Sequence, residues 1–170
     1  MRLCKAQVPK ISLIIIGGGP GMQEIKEQAN NEGILCRIID LGFIQPNELF
    51  KVIKAIDLGL MVLTKAGLKD LGPITTRFAT YASYGIPVIG NTLYLENYPQ
   101  EIIQALYKVP HENPHALSYK IINIYRSPKD RYERAKNLQN YAARKLTWNA
   151  VTTDILEVIC KNKIVNSNYK

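Results

Sequence analysis

The chain has 170 residues, 46% of them hydrophobic and 21% charged, a globular composition long enough to bury a real core. No apolar run approaches the ~20 residues that a membrane-spanning helix needs, and "MRLCKAQVPK" lacks the h-region and cleavage site of a signal peptide, so the cytoplasm is the expected compartment. Cys4, Cys36 and Cys160, odd in number and without a C-x-x-C pair, argue against a disulfide framework or a zinc site, while the formal charge of +8 points toward anionic ligands or surfaces.

Residues 11–16 form an isoleucine-dominated run ended by glycine and predict a strand buried on both faces of a parallel sheet. Residues 20–32 then predict a helix, with Ile25 and Ala29 one turn apart and Gly33 as its stop. "ILCRIIDLGF" predicts a second strand, and "QPNELFKVIKA" a second helix with Pro46 in its first turn and Leu49, Val52 and Ile53 on one side. "IDLGLMVLT" predicts a third strand, followed by the Gly- and Lys-rich loop "KAGLKDLGP". "ITTRFATYASYG" predicts a helix that starts at Thr75 or Thr76 and closes with Gly85 at the C′ position. "IPVIGN" is the fourth expected strand and "LYKVP" a short fifth. From about Asn113 the pattern is helical only, and "KNKIVNSNYK" predicts a frayed basic tail.

Strands alternating with helices place the chain in the α/β class: a Rossmann-like parallel sheet with helices on both faces and a C-terminal helical segment. One domain over residues 1–160 and a tail over 161–170 are expected. Ligands of such sheets bind outside the carboxyl ends of the strands, here residues 17–21, 42–44, 64–76 and 90–92. The first of these, in "LIIIGGGPGMQE", has two readings from its residues alone. A dinucleotide fingerprint is matched by Gly17 and Gly19, with Asp40 about where a ribose-binding acid belongs, but Met22 stands where a third glycine would allow close helix packing. Alternatively it is a tight turn that holds nothing.

The order of segments resembles the C-terminal, donor-binding half of the group 1 glycosyltransferases with two Rossmann-like domains. The matching residues are Gly17, Gly19 and Pro20, then Leu41, Gly42 and Ile44, then Glu48 and Leu49, then Asp57, then Gly85, Pro87 and Val88, with Trp148 opening the last helix. The resemblance implies a nucleoside diphosphate sugar as donor substrate, with no separate cofactor and no metal. It implies transfer of a hexosyl group to a glycan or lipid-linked acceptor, and an acceptor-binding domain in the same parent protein or a separate chain. It brings Gly17, Gly19 and Pro20 beside the diphosphate or sugar and Ile44 against the base. It puts Thr75 and Thr76 at a helix N-terminus facing the diphosphate, where free N–H groups favour an anion. Arg77 then neutralises charge as the nucleoside diphosphate departs.

Two departures accompany the match. The family's glutamate pair, spaced E-x7-E, falls on Gly72 and Thr80, so Asp70 becomes the candidate for the first carboxylate and Thr80 offers a weaker hydrogen bond to the ribose. The family also carries a strand that would lie between the first and third strands of this chain, and its absence is expected to leave two unpaired strand edges or to rearrange the sheet. A non-catalytic relic or partner subunit is therefore a competing reading.

Elsewhere, "YRSPKDRYERAKNLQNYAARK" interleaves Arg126, Lys129, Arg131, Arg134, Lys136, Arg144 and Lys145 with Asp130 and Glu133. It reads either as a solvated helix face with i,i+4 pairs or as a patch facing a membrane or polyanion, so peripheral membrane contact is an open partner and nucleic acid is not expected. His111 and His115 are separated by Pro114 and lack a third ligand, which argues against a metal site. Tyr81, Tyr84, Tyr94 and Tyr98 are expected to pack rather than to serve as stacking platforms.

Overall fold

Among the described residues, five short parallel strands form two separate sheets. The structure, a computed structural model, describes residues 1–62, 75–91 and 98–167, with side chains as far as residue 161. A 3-10 turn at Arg2–Cys4 leads to β1 (Leu13–Ile15), α1 (Met22–Asn31), a second 3-10 turn at Leu35–Arg37, β2 (Ile38–Asp40) and α2 (Pro46–Ile53). Then come β3 (Gly59–Met61), α3 (Thr76–Ser83), β4 (Val88–Asn91), α4 (Gln100–Ala105) and β5 (Tyr107–Val109). They are followed by α5 (Pro114–Arg126), α6 (Pro128–Lys145) and α7 (Trp148–Ser167).

The second sheet is β3-β4-β5, with Leu60 opposite Ile89 and Gly90 opposite Lys108. Adjacent residues of a strand point to opposite faces, and Val88 and Ile89 are both fully buried, so this sheet is covered on both sides. One face packs Met61, Phe78, Ala82, Val88, Ile102, Leu106 and Leu138 beneath α3, α4 and α6. The other packs Ile89, Tyr107 and Val109 against Ile124 and Leu117 of α5. Full burial of side chains such as Phe78 or Leu138 is worth about 2 kcal/mol each before the cost of ordering them.

The first sheet is β1-β2 alone, in register at Ile14 and Ile39. It differs from the expectation that the opening run is buried on both faces: β1 is half-buried throughout, and Ile39 and Ile16 are exposed. Among the described residues β1 pairs only with β2, and β3 only with β4, so each keeps an unpaired edge, as the resemblance led us to expect. The N-terminal segment bridges the two halves. Cys4 and Val8 pack on Ile122 of α5, and Gln7 accepts a hydrogen bond from Arg126 at 2.9 Å. On the other side Arg2 pairs with Glu32 at 2.7 Å, and the Arg37 guanidinium donates to the Pro9 carbonyl.

Glycine stops close α1 and α3. Gly33 and Gly85 have φ of 62° and 63°, and in each case the next residue donates back five positions, Ile34 to Ala29 and Ile86 to Tyr81, both at 2.9 Å. At the C-terminus the expected frayed tail is instead helical backbone to Ser167, because nothing from 148 to 167 is Gly or Pro to break the hydrogen-bond ladder. The short helix α4, six residues long, is not anticipated from the sequence pattern. No helix among the described residues is long and apolar enough to cross a membrane.

Candidate functional site

The carboxyl ends of β1 and β2 carry two loops tied to each other. Leu41 donates to Ile15 at 3.0 Å and Gly17 donates to Gly42 at 2.7 Å, with φ of 105° at Gly17 and 56° at Gly42. A side chain is strained at either position. The aromatic ring of Phe43 lies over Gly18, where an added Cβ would come within 3.0 Å of it, whereas at Gly17 or Gly19 it would meet no atom within 4 Å. Gly18 thus has only the exposed Phe43 ring against it, and residues 17 and 19 with the exposed Pro20 form an open rim. Ile44 is half-buried one residue beyond Phe43, which is itself 86% exposed.

Asp40, the would-be ribose acid, is already engaged. One carboxylate oxygen accepts from the Gly42 N–H at 3.0 Å and the other pairs with Lys26 at 2.8 Å, and these two contacts, Lys26 first, hold its pKa below the ordinary carboxylate value. With both oxygens turned to the protein, and Met22 rather than glycine at the first helical position, this corner does not suit a dinucleotide.

At the same end of the second sheet stands the N-terminus of α3. Thr75 is its N-cap, its hydroxyl accepting from the Phe78 N–H at 3.2 Å, and Thr76 and Arg77 are exposed in the first turn. The first-turn N–H groups and the Arg77 guanidinium make this end positive. Thr80, one turn on, donates its hydroxyl to the Thr76 carbonyl at 2.8 Å, which leaves the oxygen only as an acceptor. Asp70 and Gly72 lie outside the described residues, as does Tyr94. Tyr81, Tyr84 and Tyr98 pack as expected: Tyr98 edge-on to Phe78 at 5.2 Å, Tyr84 stacked on Phe50 at 6.0 Å, and Tyr81 flat over Gly59 of β3. Among the described residues no group of three or more His, Cys, Asp or Glu is placed to hold a metal ion.

What the structure joins directly is the residue 17–20 loop and the residue 41–44 loop; Thr75, Thr76 and Arg77 stand at the same strand ends on the other sheet. The fold recurs in solved structures. HepE of Anabaena in complex with UDP superposes with a TM-score of 0.74 at 18% identity, over 95% of this chain and 45% of that one. The C-terminal domain of the group 1 glycosyl transferase LpcC from Francisella tularensis matches with a TM-score of 0.68 at 17% identity, over 86% of this chain and 75% of that domain. By sequence the chain is 31% identical over 127 residues to the alpha-monoglucosyldiacylglycerol synthase of Streptococcus pneumoniae, covering 68% of this chain and 29% of that protein. It thus spans less than a third of that relative and less than half of HepE. Residues 1–145 match the family model described as glycosyl transferases group 1. The ordered glycine, proline and strand-end motifs, the parallel α/β architecture and this match agree: the chain belongs to the group 1 glycosyl transferases and corresponds to their C-terminal domain.

Proposed function

We propose that this chain is the donor-binding half of a glycosyltransferase that moves a hexosyl group from a nucleoside diphosphate sugar to a glycan or lipid-linked acceptor. The observation that carries the reading is the N-terminus of α3, where the first-turn N–H groups of Thr76 and Arg77 and the exposed Arg77 guanidinium stand at the strand ends. In this reading the diphosphate sits there, the open rim of Gly17, Gly19 and Pro20 approaches the diphosphate or sugar, and the residue 42–44 loop meets the base. Arg77 then stabilises negative charge on the leaving diphosphate while the sugar takes on oxocarbenium character. Asp70 is proposed as the sugar-hydroxyl partner and Thr80 as an acceptor toward the ribose. An acceptor-binding domain, in the same parent protein or a separate chain, completes the cleft.

HepE has been crystallised with UDP, with UDP and glucose, and with UDP-glucose, so UDP and UDP-glucose are the first ligands to try. Isothermal titration of the chain with UDP, GDP and ADP, then with their sugars, tests the proposal. Saturable binding of one base, weakened about tenfold by Arg77→Ala, is expected, tenfold being ~1.4 kcal/mol. Heat-silent titrations on well-folded protein, together with no thermal shift, would overturn it. A second reading, a non-catalytic relic, is favoured by one observation: Thr80 spends its proton on the Thr76 carbonyl where the family pattern calls for a glutamate. Donor binding without transfer by a reconstituted two-domain enzyme would select it.

A further inference from the structure

Away from the donor end, the corner where α5 meets α6 has an unusual surface. From Tyr119 to Lys136 the chain carries six cations, Lys120, Arg126, Lys129, Arg131, Arg134 and Lys136, against Asp130 and Glu133. Asp130 is taken up internally: the Tyr107 hydroxyl donates to it at 2.6 Å and Arg134 pairs with it at 2.9 Å, with the Arg134 guanidinium also over the Tyr107 ring at 4.7 Å. Five cations therefore face a single unengaged carboxylate, and none of Lys120, Arg126, Lys129, Arg131 and Lys136 forms an ion pair among the described residues.

The same stretch of sequence carries three tyrosines, Tyr119, Tyr125 and Tyr132, exposed by 66%, 52% and 67%. In α6, Lys129, Tyr132 and Lys136 follow i, i+3, i+7 spacing, on the side away from the buried Ala135, Leu138, Tyr141 and Ala142. Only Ser127 separates the end of α5, with Tyr125 and Arg126, from Pro128 at the start of α6. Lys120 reaches the same corner, since its charge helps to lower the pKa of Asp130. Exposed phenols, apolar in body and polar at the tip, amid unpaired Lys and Arg are the chemistry of an interface with anionic headgroups. Base stacking instead sets aromatic rings on a sheet face or along a groove. We propose that the α5–α6 corner docks the protein onto an anionic lipid surface.

The orientation has a consequence. Arg134 donates to the carbonyls of Gln104 and Leu106, immediately before β5, so the corner lies at the amino ends of the strands. Residues 17–20 and 75–77 lie at the opposite ends, and a docked molecule keeps its donor side open to solution. Vesicle binding and nucleotide binding are thus independent.

The test uses the 170-residue chain and sedimentation with vesicles of phosphatidylcholine alone or containing about 30% phosphatidylglycerol, at about 50 and about 500 mM NaCl. Binding at least tenfold stronger to the anionic vesicles at low salt, lost at high salt and unchanged by UDP, is expected. Lys129→Glu with Lys136→Glu should weaken it at least tenfold and Tyr132→Ala about threefold, with circular dichroism confirming the fold. Lys51→Glu with Lys54→Glu on α2 changes net charge equally and should leave binding within about twofold. Lys129→Gln with Lys136→Gln replaces the first pair if that pair does not fold. Absence of binding, equal binding to both vesicles, or equal loss in the α2 variant overturns the proposal. Tighter, salt-sensitive capture of a single-stranded oligonucleotide, lost in the α6 variant, overturns it in favour of nucleic acid.

Discussion

Gly59 in β3 lies beneath the ring of Tyr81, and a Cβ placed there would come within 2.6 Å of the ring. Gly59→Ala should cost about 1–3 kcal/mol, read as a fall in Tm of several degrees, because a packed ring in a covered sheet has nowhere to go. Gly19→Ala, whose Cβ meets nothing, should leave Tm within about a degree; matching losses at both glycines would show that crowding by Tyr81 is not the cause. Nothing local in "DLGLMV" marks Gly59, since its partner stands 22 positions away, whereas Gly33 and Gly85 are legible because a helix stop is a local demand. The ionisable groups set a pH profile of known sign. Asp130, through the Tyr107 hydrogen bond and then Arg134, and Asp40, through Lys26 and then the Gly42 N–H, both have lowered pKa values. Their stabilisation is complete above the unfolded carboxylate pKa of ~3.9 and is lost as pH falls through the lower folded values. Tyr107 is the reverse. Burial, then the hydrogen bond to Asp130, raises its pKa, so its contribution is complete below ~10 and lost as pH rises through the higher folded value. Melting temperatures measured across pH should fall at both extremes, and Tyr107→Phe should flatten the alkaline fall; an unchanged alkaline slope would count against the Tyr107–Asp130 link.

At the scale of elements, the start of α3 shows how one residue can serve fold and ligand together. Thr75→Ala removes the cap to Phe78 and should cost about 1 kcal/mol, while Thr75→Asp keeps a capping oxygen and should hold stability near the parent value. The same Thr75→Asp sets a negative charge where the diphosphate is proposed, so UDP affinity should fall at least tenfold in calorimetry although the fold persists. Retained affinity would move the diphosphate away from this helix. The order of β1 to β5 and of α1, α2, α3, α5 and α6 is readable from hydrophobic runs, prolines and stops, because those patterns are local. The lengths are not. β1 occupies three residues rather than the six of its apolar run, matching the three positions at which it pairs with β2. α4 escapes notice because six residues hold too little periodicity.

For the molecule as a whole, the two sheets differ in how firmly they are held. β3-β4-β5 is buried on both faces, whereas β1-β2 is half-exposed and joined to α5 through the N-terminal segment. Hydrogen–deuterium exchange should therefore find the amides of residues 88–91 and 107–109 protected close to the limit set by global unfolding, and those of 13–15 and 38–40 exchanging at least tenfold faster. Equal protection would mean that both sheets open as one unit. The sequence by itself determined the α/β class, the helix caps at Thr75, Gly33 and Gly85 and the motif order that marks the family, since each depends on periodicity or backbone conformation within a few residues. Tertiary structure alone decided which partners those residues meet: Asp40 held by Lys26, Gly18 under Phe43, and Asp130 withdrawn into the Tyr107–Arg134 cluster. Such pairings depend on which segments pack side by side, and that is settled by the burial of a shared core rather than by any local stretch of chain.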